Sequence, residues 1–313
     1  MRKIFAFLLF ISIIILTGCN ALEITSCKPI YVMDTIINIK FYNVNDYQTH
    51  YNEIKKIYNT YDKLADDFKE YDNNIYKLNL NRSVEASDEL IELINYSKEL
   101  KEKTNGYFNP LVGRLTHLWK DSIKSKKVLD KELIEDELEI INSSSIEIND
   151  NIISIKGDAN VDLGAIAKGY ATYKCVEYLK LKNVNGYLIN AGESSVALGE
   201  KGNNYFKATL EAPYSSKIIK NLEIKNTSIA TSSGKYQNVI IDNVRYHHII
   251  NPFTGYPSNI YDNVNVIIDN SALADCYSTA IFSMELDEAK AFIEKNDLKA
   301  ILYKDDKILY EKN

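Results

Sequence analysis

The chain has 313 residues, 45% hydrophobic and 26% charged, with a formal net charge of -6. That length can bury a large core in one domain or two, and the composition is that of a globular protein, not a disordered one. No basic cluster stands out against the acidic balance, which argues against nucleic acid as a partner.

Arg2 and Lys3 precede an apolar run from Ile4 to Leu16, too short for a spanning helix and suited to a secretion signal. The run ends in Leu16-Thr17-Gly18-Cys19, which resembles a bacterial lipobox with Cys19 as the lipidated first mature residue. A plain signal peptide with a chance cysteine is the alternative. The expected division is a signal peptide over 1–18, a tether over 19–29 and one domain over 30–313. Cys19 would then hold the domain on the lipid bilayer, at the extracytoplasmic face of the cell membrane. Of the other cysteines, Cys27 falls in the tether, while Cys175 and Cys276 sit in patterned segments as small hydrophobes, with a disulfide between them left open. No pair has the close spacing of a zinc site.

Along the chain, Ile37, Ile39 and Phe41 alternate with Asn38 and Lys40, which predicts a strand beginning near Met33-Asp34-Thr35. Ile54, Ile57, Tyr58, Tyr61 and Leu64 form a helical stripe between Asp46 and Phe68. Residues 71–79 read as an irregular connection, and Ser87 as the cap of a helix carrying Leu90, Leu93, Ile94 and Leu100. Gly106 to Leu115 reads as a loop entering a short helix with Trp119 beyond it, and 121–145 carries a weak helical pattern. Ile152, Ile153 and Ile155 form a short strand, and Ile166, Ala167, Tyr170, Ala171, Val176 and Leu179 an amphipathic helix after it. Gly186 to Gly192 is a strand ending in a turn, and 206–270 alternates short strands with turns, the clearest at Asn251-Pro-Phe-Thr-Gly-Tyr-Pro257. Helices over 271–284 and 286–296 and closing strands over 299–310 complete the chain. Strands and helices mix without a βαβ rhythm or an internal repeat, so the expected class is α+β, a single mixed domain.

Three places carry chemistry. Gly164 stands where a helix begins, and the open N–H groups of a helix start suit an anion, with Lys168 adding a full positive charge in the first turn. Asp162 just upstream is suited to a ligand group or to the helix cap; an ordinary strand-to-helix junction with a solvated lysine is the plain alternative. Asp275 and Thr279 lie four apart on one helical face, hard oxygen donors that suit Mg2+ shared with substrate phosphates, or equally an exposed polar face. His247 and His248, beside the clearest turn, suit a general base, a phosphate contact or a structural role.

Together these segments resemble the FAD:protein FMN transferase family, the ApbE-type flavin transferases. The resemblance runs through Met33-Asp-Thr35, Gly106-Tyr-Phe-Asn-Pro110, Asp162-Leu-Gly-Ala-Ile-Ala-Lys-Gly169 and Asn190-Ala-Gly192. It continues through Ser232-Ser-Gly-Lys-Tyr236, His248-Ile-Ile-Asn-Pro-Phe-Thr-Gly255 and Ser271-Ala-Leu-Ala-Asp-Cys-Tyr-Ser-Thr279. It implies a domain that binds FAD and uses Mg2+ while passing FMN to a Thr or Ser hydroxyl of an acceptor flavoprotein, with release of AMP. Carried over by motif, Met33, Tyr71, Tyr107, Phe108, Asn109, Asp162, Lys168 and Ile250 line the FAD site. The carbonyl of Ala165 joins Asp275 and Thr279 around the metal, and His248 takes the acceptor proton. Glu193 departs from the family pattern, which has glycine after Asn-Ala-Gly; Ser232 and Asn251 stand where Thr and Asp are common. Two other readings use the same motifs: an Mg2+-dependent FAD pyrophosphatase giving FMN and AMP, and a non-enzymatic flavin-binding lipoprotein.

Overall fold

The computed structural model describes residues 22–215 and 217–313. The signal segment over 1–18 and Cys19 lie outside the described residues.

The first strands are β1 (Ile24–Ser26), β2 (Ile30–Val32) and β3 (Thr35–Tyr42), followed by α1 (Tyr47–Ala65), α2 (Ile75–Asn81) and β4 (Ser83–Glu85). Then come α3 (Asp88–Lys103), α4 (Gly113–Ser125), α5 (Lys131–Ser143), β5 (Ser145–Asn149), β6 (Ile152–Lys156) and α6 (Ala167–Leu181). The second half opens with β7 (Tyr187–Ala191), β8 (Ser195–Leu198), β9 (Phe206–Glu211), β10 (Ile218–Ile224) and β11 (Thr227–Ser233). It closes with β12 (Asn238–Ile241), β13 (Val244–His247), β14 (Asn263–Ile268), α7 (Ser271–Phe282), α8 (Leu286–Lys295), β15 (Lys299–Lys304) and β16 (Lys307–Lys312).

Nine strands form one antiparallel sheet in the order β1-β3-β7-β8-β11-β14-β15-β16, with β2 sharing the β3 edge that β1 uses. A three-stranded sheet (β4-β6-β5) and two ribbons (β9-β10 and β12-β13) complete the strands. This is the expected α+β class. Period-two alternation holds in β3, where Ile37, Ile39 and Phe41 are buried and Ile36, Asn38 and Lys40 exposed. The stripe on α1 buries Ile54, Tyr58, Tyr61 and Leu64, and Ser87 caps α3 by accepting the Leu90 N–H.

Helix α7 lies against β11, β14 and α6 and has ten of its twelve residues buried, so nothing on it is ordinary solvent-facing surface. It crosses α6 at Gly169, where a Cβ would come within 2.5 Å of the Ser271 carbonyl and 2.6 Å of the Asp275 carboxylate. Any larger residue would force the two helices apart.

Several expectations need correction. The strand predicted from Met33 is the second arm of a hairpin, because Met33 and Asp34 both take φ of 53° and reverse the chain between β2 and β3. The tether over 19–29 is part of the domain at its end: residues 24–26 pair with β3 as β1. Residues 71–79 are not an irregular connection throughout, since Asn74 accepts the Lys77 N–H and starts α2. Trp119 lies within α4, fully buried, with its indole N–H donated to the Gly255 carbonyl at 2.7 Å. Cys175 and Cys276 are both buried free thiols, so the disulfide left open from sequence does not form.

The β7–β8 hairpin turns through Gly192 and Glu193, with φ of 66° and 64°, and the Glu193 N–H is held by the Asn190 side chain at 2.8 Å. A side chain in this left-handed conformation costs about 1 kcal/mol or more, which glycine avoids. Glu193→Gly should therefore stabilise the protein by about 1 kcal/mol. Urea unfolding should show a higher midpoint at unchanged slope, and a lower midpoint would refute the strain.

Candidate functional site

Helix α7 is started by Asn270, whose side chain accepts the N–H groups of Ala272 and Leu273. This sets Asp275 against the Gly169 crossing, 8% exposed and without an ion-pair partner among the described residues. Burial raises its carboxyl from 3.8 to about 7, while Lys168, the Gly169 N–H and the Ser195 hydroxyl pull the other way. The Ser195 hydroxyl is fully buried yet makes no hydrogen bond of normal geometry, and neither does that of Ser194. One turn along α7, the Thr279 hydroxyl lies 3.3 Å from that of Ser232, which also meets Ser278 at 2.9 Å.

The Ala165 carbonyl lies in the bend before α6. Both Ile166 and Ala167 donate to Leu163, Tyr170 donates to Ile166, and no backbone N–H among the described residues is bonded to Ala165. A buried carboxylate without an ion-pair partner among the described residues, a carbonyl free of backbone bonds and under-used hydroxyls are donor types that suit a hard cation keeping several open positions. Among the described residues no cluster of three or more His, Cys, Asp or Glu offers an alternative, softer site. Asp275, Thr279 and the Ala165 carbonyl thus fit Mg2+ chemically.

The start of α6 has no side-chain cap, but Ala167 donates to Leu163 and the Gly169 N–H turns toward Asp275, so in the first turn only the Lys168 N–H is left without a partner among the described residues. Asp162 is not that cap: its Oδ1 accepts the Gly164 N–H at 2.7 Å and its Oδ2 the Thr116 hydroxyl at 2.7 Å, so it pins the bend to α4. Lys168 forms no ion pair among the described residues and acts electrostatically on both Asp275 and His248. A lone cation at an uncapped helix start suits a phosphate.

His248 is half-buried with Nδ1 3.2 Å from the Tyr236 carbonyl. A carbonyl can only accept, so the neutral ring carries its proton on Nδ1 and leaves Nε2 as a proton acceptor. Burial lowers the His248 pKa from 6.5, Lys168 and Lys120 lower it further, and the Tyr236 carbonyl and Asp162 oppose them. The ring is therefore neutral at physiological pH. His247, its neighbour, is buried with both nitrogens engaged inside the protein and is no free base.

The remaining sequence-predicted residues fall into two groups. Met33 sits in the β2–β3 turn with its N–H on Asp62 at 2.8 Å, and Asn109 turns back to accept the Leu111 N–H at 3.1 Å. Tyr107 is half-buried, edge-on to Phe253, with its hydroxyl donated to Glu288 at 2.5 Å. Phe108 and Ile250 are 3% and 8% exposed, so their side chains belong to the core. Tyr71 lies beneath Lys69 and Lys63, 5.0 and 5.9 Å from its ring centre. The aromatic that the structure ties to the site is Phe68, which the sequence reading passed over. It is 57% exposed, stacks on His117 at 4.4 Å and lies 4.1 Å beneath Lys120, the lysine that faces His248. His117 in turn bonds Asp67 at 2.6 Å. Fifty residues separate these partners, and no local pattern links them.

The sequence model of the ApbE family matches residues 33–302. A relative from Klebsiella pneumoniae, FAD:protein FMN transferase, is 30% identical over 226 residues, covering 70% of each chain. The Vibrio cholerae protein of the same name is 26% identical over 309 residues, covering 93% of this chain and 91% of its own. Among solved structures, the ApbE protein of Thermotoga maritima superposes with a TM-score of 0.80 at 24% identity, covering 90% of this chain and 94% of its own. Flavin transferase ApbE from Vibrio cholerae gives 0.76 at 22% identity over 93% and 97%. At these identities the superpositions establish a shared fold.

The raised Asp275 pKa has a stability consequence in chelator. A carboxyl whose folded value is about 7, against 3.8 unfolded, favours the folded state at low pH and loses that contribution as pH rises through about 7. Relative to Asp275→Asn, metal-free wild type should lose about 4 kcal/mol between pH 4 and pH 8, read from denaturant midpoints. Parallel curves for the two proteins would show that the carboxylate is solvated.

Proposed function

The chain belongs to the ApbE family, and we propose that it transfers the FMN moiety of FAD to a Thr or Ser hydroxyl of an acceptor flavoprotein, releasing AMP. The observation that carries this reading is Lys168, a cation at a helix start without a side-chain cap, whose charge acts on both the buried Asp275 and the His248 base. A pyrophosphate needs positive charge, an oxygen-lined cation and a group that deprotonates the attacking hydroxyl, and those three residues supply or hold them.

In this reading the Lys168 N–H and ammonium, at the start of α6, bind the pyrophosphate and orient the FMN phosphorus toward His248. The acceptor oxygen forms a bond to that phosphorus, the bond from phosphorus to the AMP oxygen breaks, and the hydroxyl proton passes to His248 Nε2. Asp275, Thr279 and the Ala165 carbonyl would hold Mg2+, which neutralises charge on the phosphates when bound. Lipidation of Cys19 would keep the domain on the outer face of the cell membrane.

Asp275→Ala should reduce covalent flavinylation of an acceptor by about 100-fold or more while FAD still binds, because the loss falls on the transition state. In-gel flavin fluorescence and a thermal melt measure both, and near-normal labelling by the folded variant would end the assignment. The same assay without acceptor separates transfer from hydrolysis: free FMN and AMP at the rate of transfer would favour the pyrophosphatase. A carrier would release neither.

Lys168→Ala should weaken FAD binding by roughly 10- to 150-fold, the value of a charge-assisted contact worth about 1.5–3 kcal/mol. Unchanged affinity would place the phosphates elsewhere. Cys19→Ala should move the protein from the membrane to the soluble fraction with transfer activity intact, and a wild type already soluble would refute the anchor.

A further inference from the structure

His247 and His248 are consecutive, yet the fold uses them differently. His247 ends β13 and is 2% exposed. Its Nε2 lies 2.7 Å from the Ser258 carbonyl, and its Nδ1 receives the Ile249 N–H at 3.1 Å. One nitrogen must donate and the other accept, so both bonds form only with the neutral ring protonated on Nε2. The second bond spans His248: it closes a turn from residue 247 to residue 249 and fixes the backbone between them.

The far end of the imidazole is anchored as firmly. Ser258 donates its N–H to the Ile249 carbonyl at 3.1 Å and its hydroxyl to the Phe282 carbonyl at 2.8 Å, at the end of α7. The His247 ring stands edge-on to Phe282 at 5.6 Å. Its other side lies against Gly234, where a Cβ would come within 2.5 Å of Cδ2. His247 therefore joins the strand before His248, the chain returning from the turn, and the helix that bears Asp275 and Thr279.

We propose that His247 is the positioning residue for His248: it clamps the backbone on both sides of the neighbouring imidazole and so directs its Nε2 toward the reacting hydroxyl. The inference rests on the reading of His248 as proton acceptor. His247 touches no reacting group itself. Burial chiefly holds its pKa down, to about 4; His248, Arg245 and Lys304, all cationic or able to become so, lower it further, and the Ser258 carbonyl opposes them. No second positive charge thus builds beside His248, which faces Lys168, Lys120 and Asp162.

The test uses the full-length chain in detergent, without flavin or acceptor, and reads imidazole nitrogen shifts by NMR. In wild type, His247 should remain neutral and protonated on Nε2 from about pH 8 to about pH 5, while His248 titrates below its ordinary value. In His247→Leu both bonds are lost, the His248 ring gains solvent, and its midpoint should rise toward 6.5. In a parallel transfer assay with FAD, Mg2+ and acceptor, the acid limb of the rate should move up with it, and kcat should fall about 10-fold with KM for FAD within about twofold. In His247→Asn the side-chain oxygen can still accept the Ile249 N–H, so the His248 midpoint and most of kcat should return even though the Ser258 bond is gone. A wild-type His247 protonated on Nδ1, or titrating near 6.5, overturns the proposal without any variant. So does a folded His247→Leu protein whose His248 midpoint and kcat are those of wild type. His248→Ala tests the underlying reading separately: transfer surviving in that variant removes the base, whatever the NMR shows of His247.

Discussion

The constraint on which the site depends is a carboxylate kept in the interior with no ion-pair partner among the described residues. Asp275 sits where α6 and α7 cross, and the crossing is close enough to reach it only because residue 169 lacks a side chain. Leaving a charge there is unfavourable for folding, and the shift of its carboxyl to about 7 expresses that cost. The nine-stranded sheet and the apolar faces of α7 supply the rigidity that keeps the arrangement from relaxing. A solvated Asp275 would be more stable and would hold a cation less firmly, since a hydrated carboxylate gives up more on binding one.

Lys168 gives the same region its second property. It lowers the pKa of Asp275 and that of His248 alike. For an acid this favours the charged form, and for a base the neutral form. One ammonium therefore biases both neighbours toward the states that phosphoryl transfer needs: a carboxylate able to hold a cation and an imidazole able to take a proton. The bend before α6 sets this geometry, and Asp162 fixes the bend by accepting from Gly164 and from Thr116 on α4. Helix α4 also carries Lys120 and His117, so a single element holds the bend, faces the base and supports the Phe68 ring.

Periodicity made the long elements legible in the sequence: the stripe of α1, the alternation of β3 and the Ser87 cap all appear as read. Short elements set by single hydrogen bonds or unusual torsions were not legible. The β2–β3 hairpin depends on left-handed torsions at Met33 and Asp34, neither of them glycine, and α2 on one Asn74 cap. Lys168, Asp275 and His248 drew attention through their motifs, since each carries a charge or a proton in a recognisable setting. Phe68, Ser195 and the His117–Asp67 pair carry no such local mark, because what matters about them is a neighbour far away in the chain.

The two adjacent histidines show most clearly what folding adds. As residues they are interchangeable candidates for the same role. The fold gives His247 an acceptor bond on Nδ1, from the N–H two residues ahead, and so places its proton on Nε2. It gives His248 a carbonyl at Nδ1, and so leaves Nε2 bare. Opposite tautomers on neighbouring rings follow from which backbone group each Nδ1 meets, and only one of the two is left with a lone pair that no donor among the described residues uses. The chemistry of the pair is thus decided by the turn that begins at residue 247.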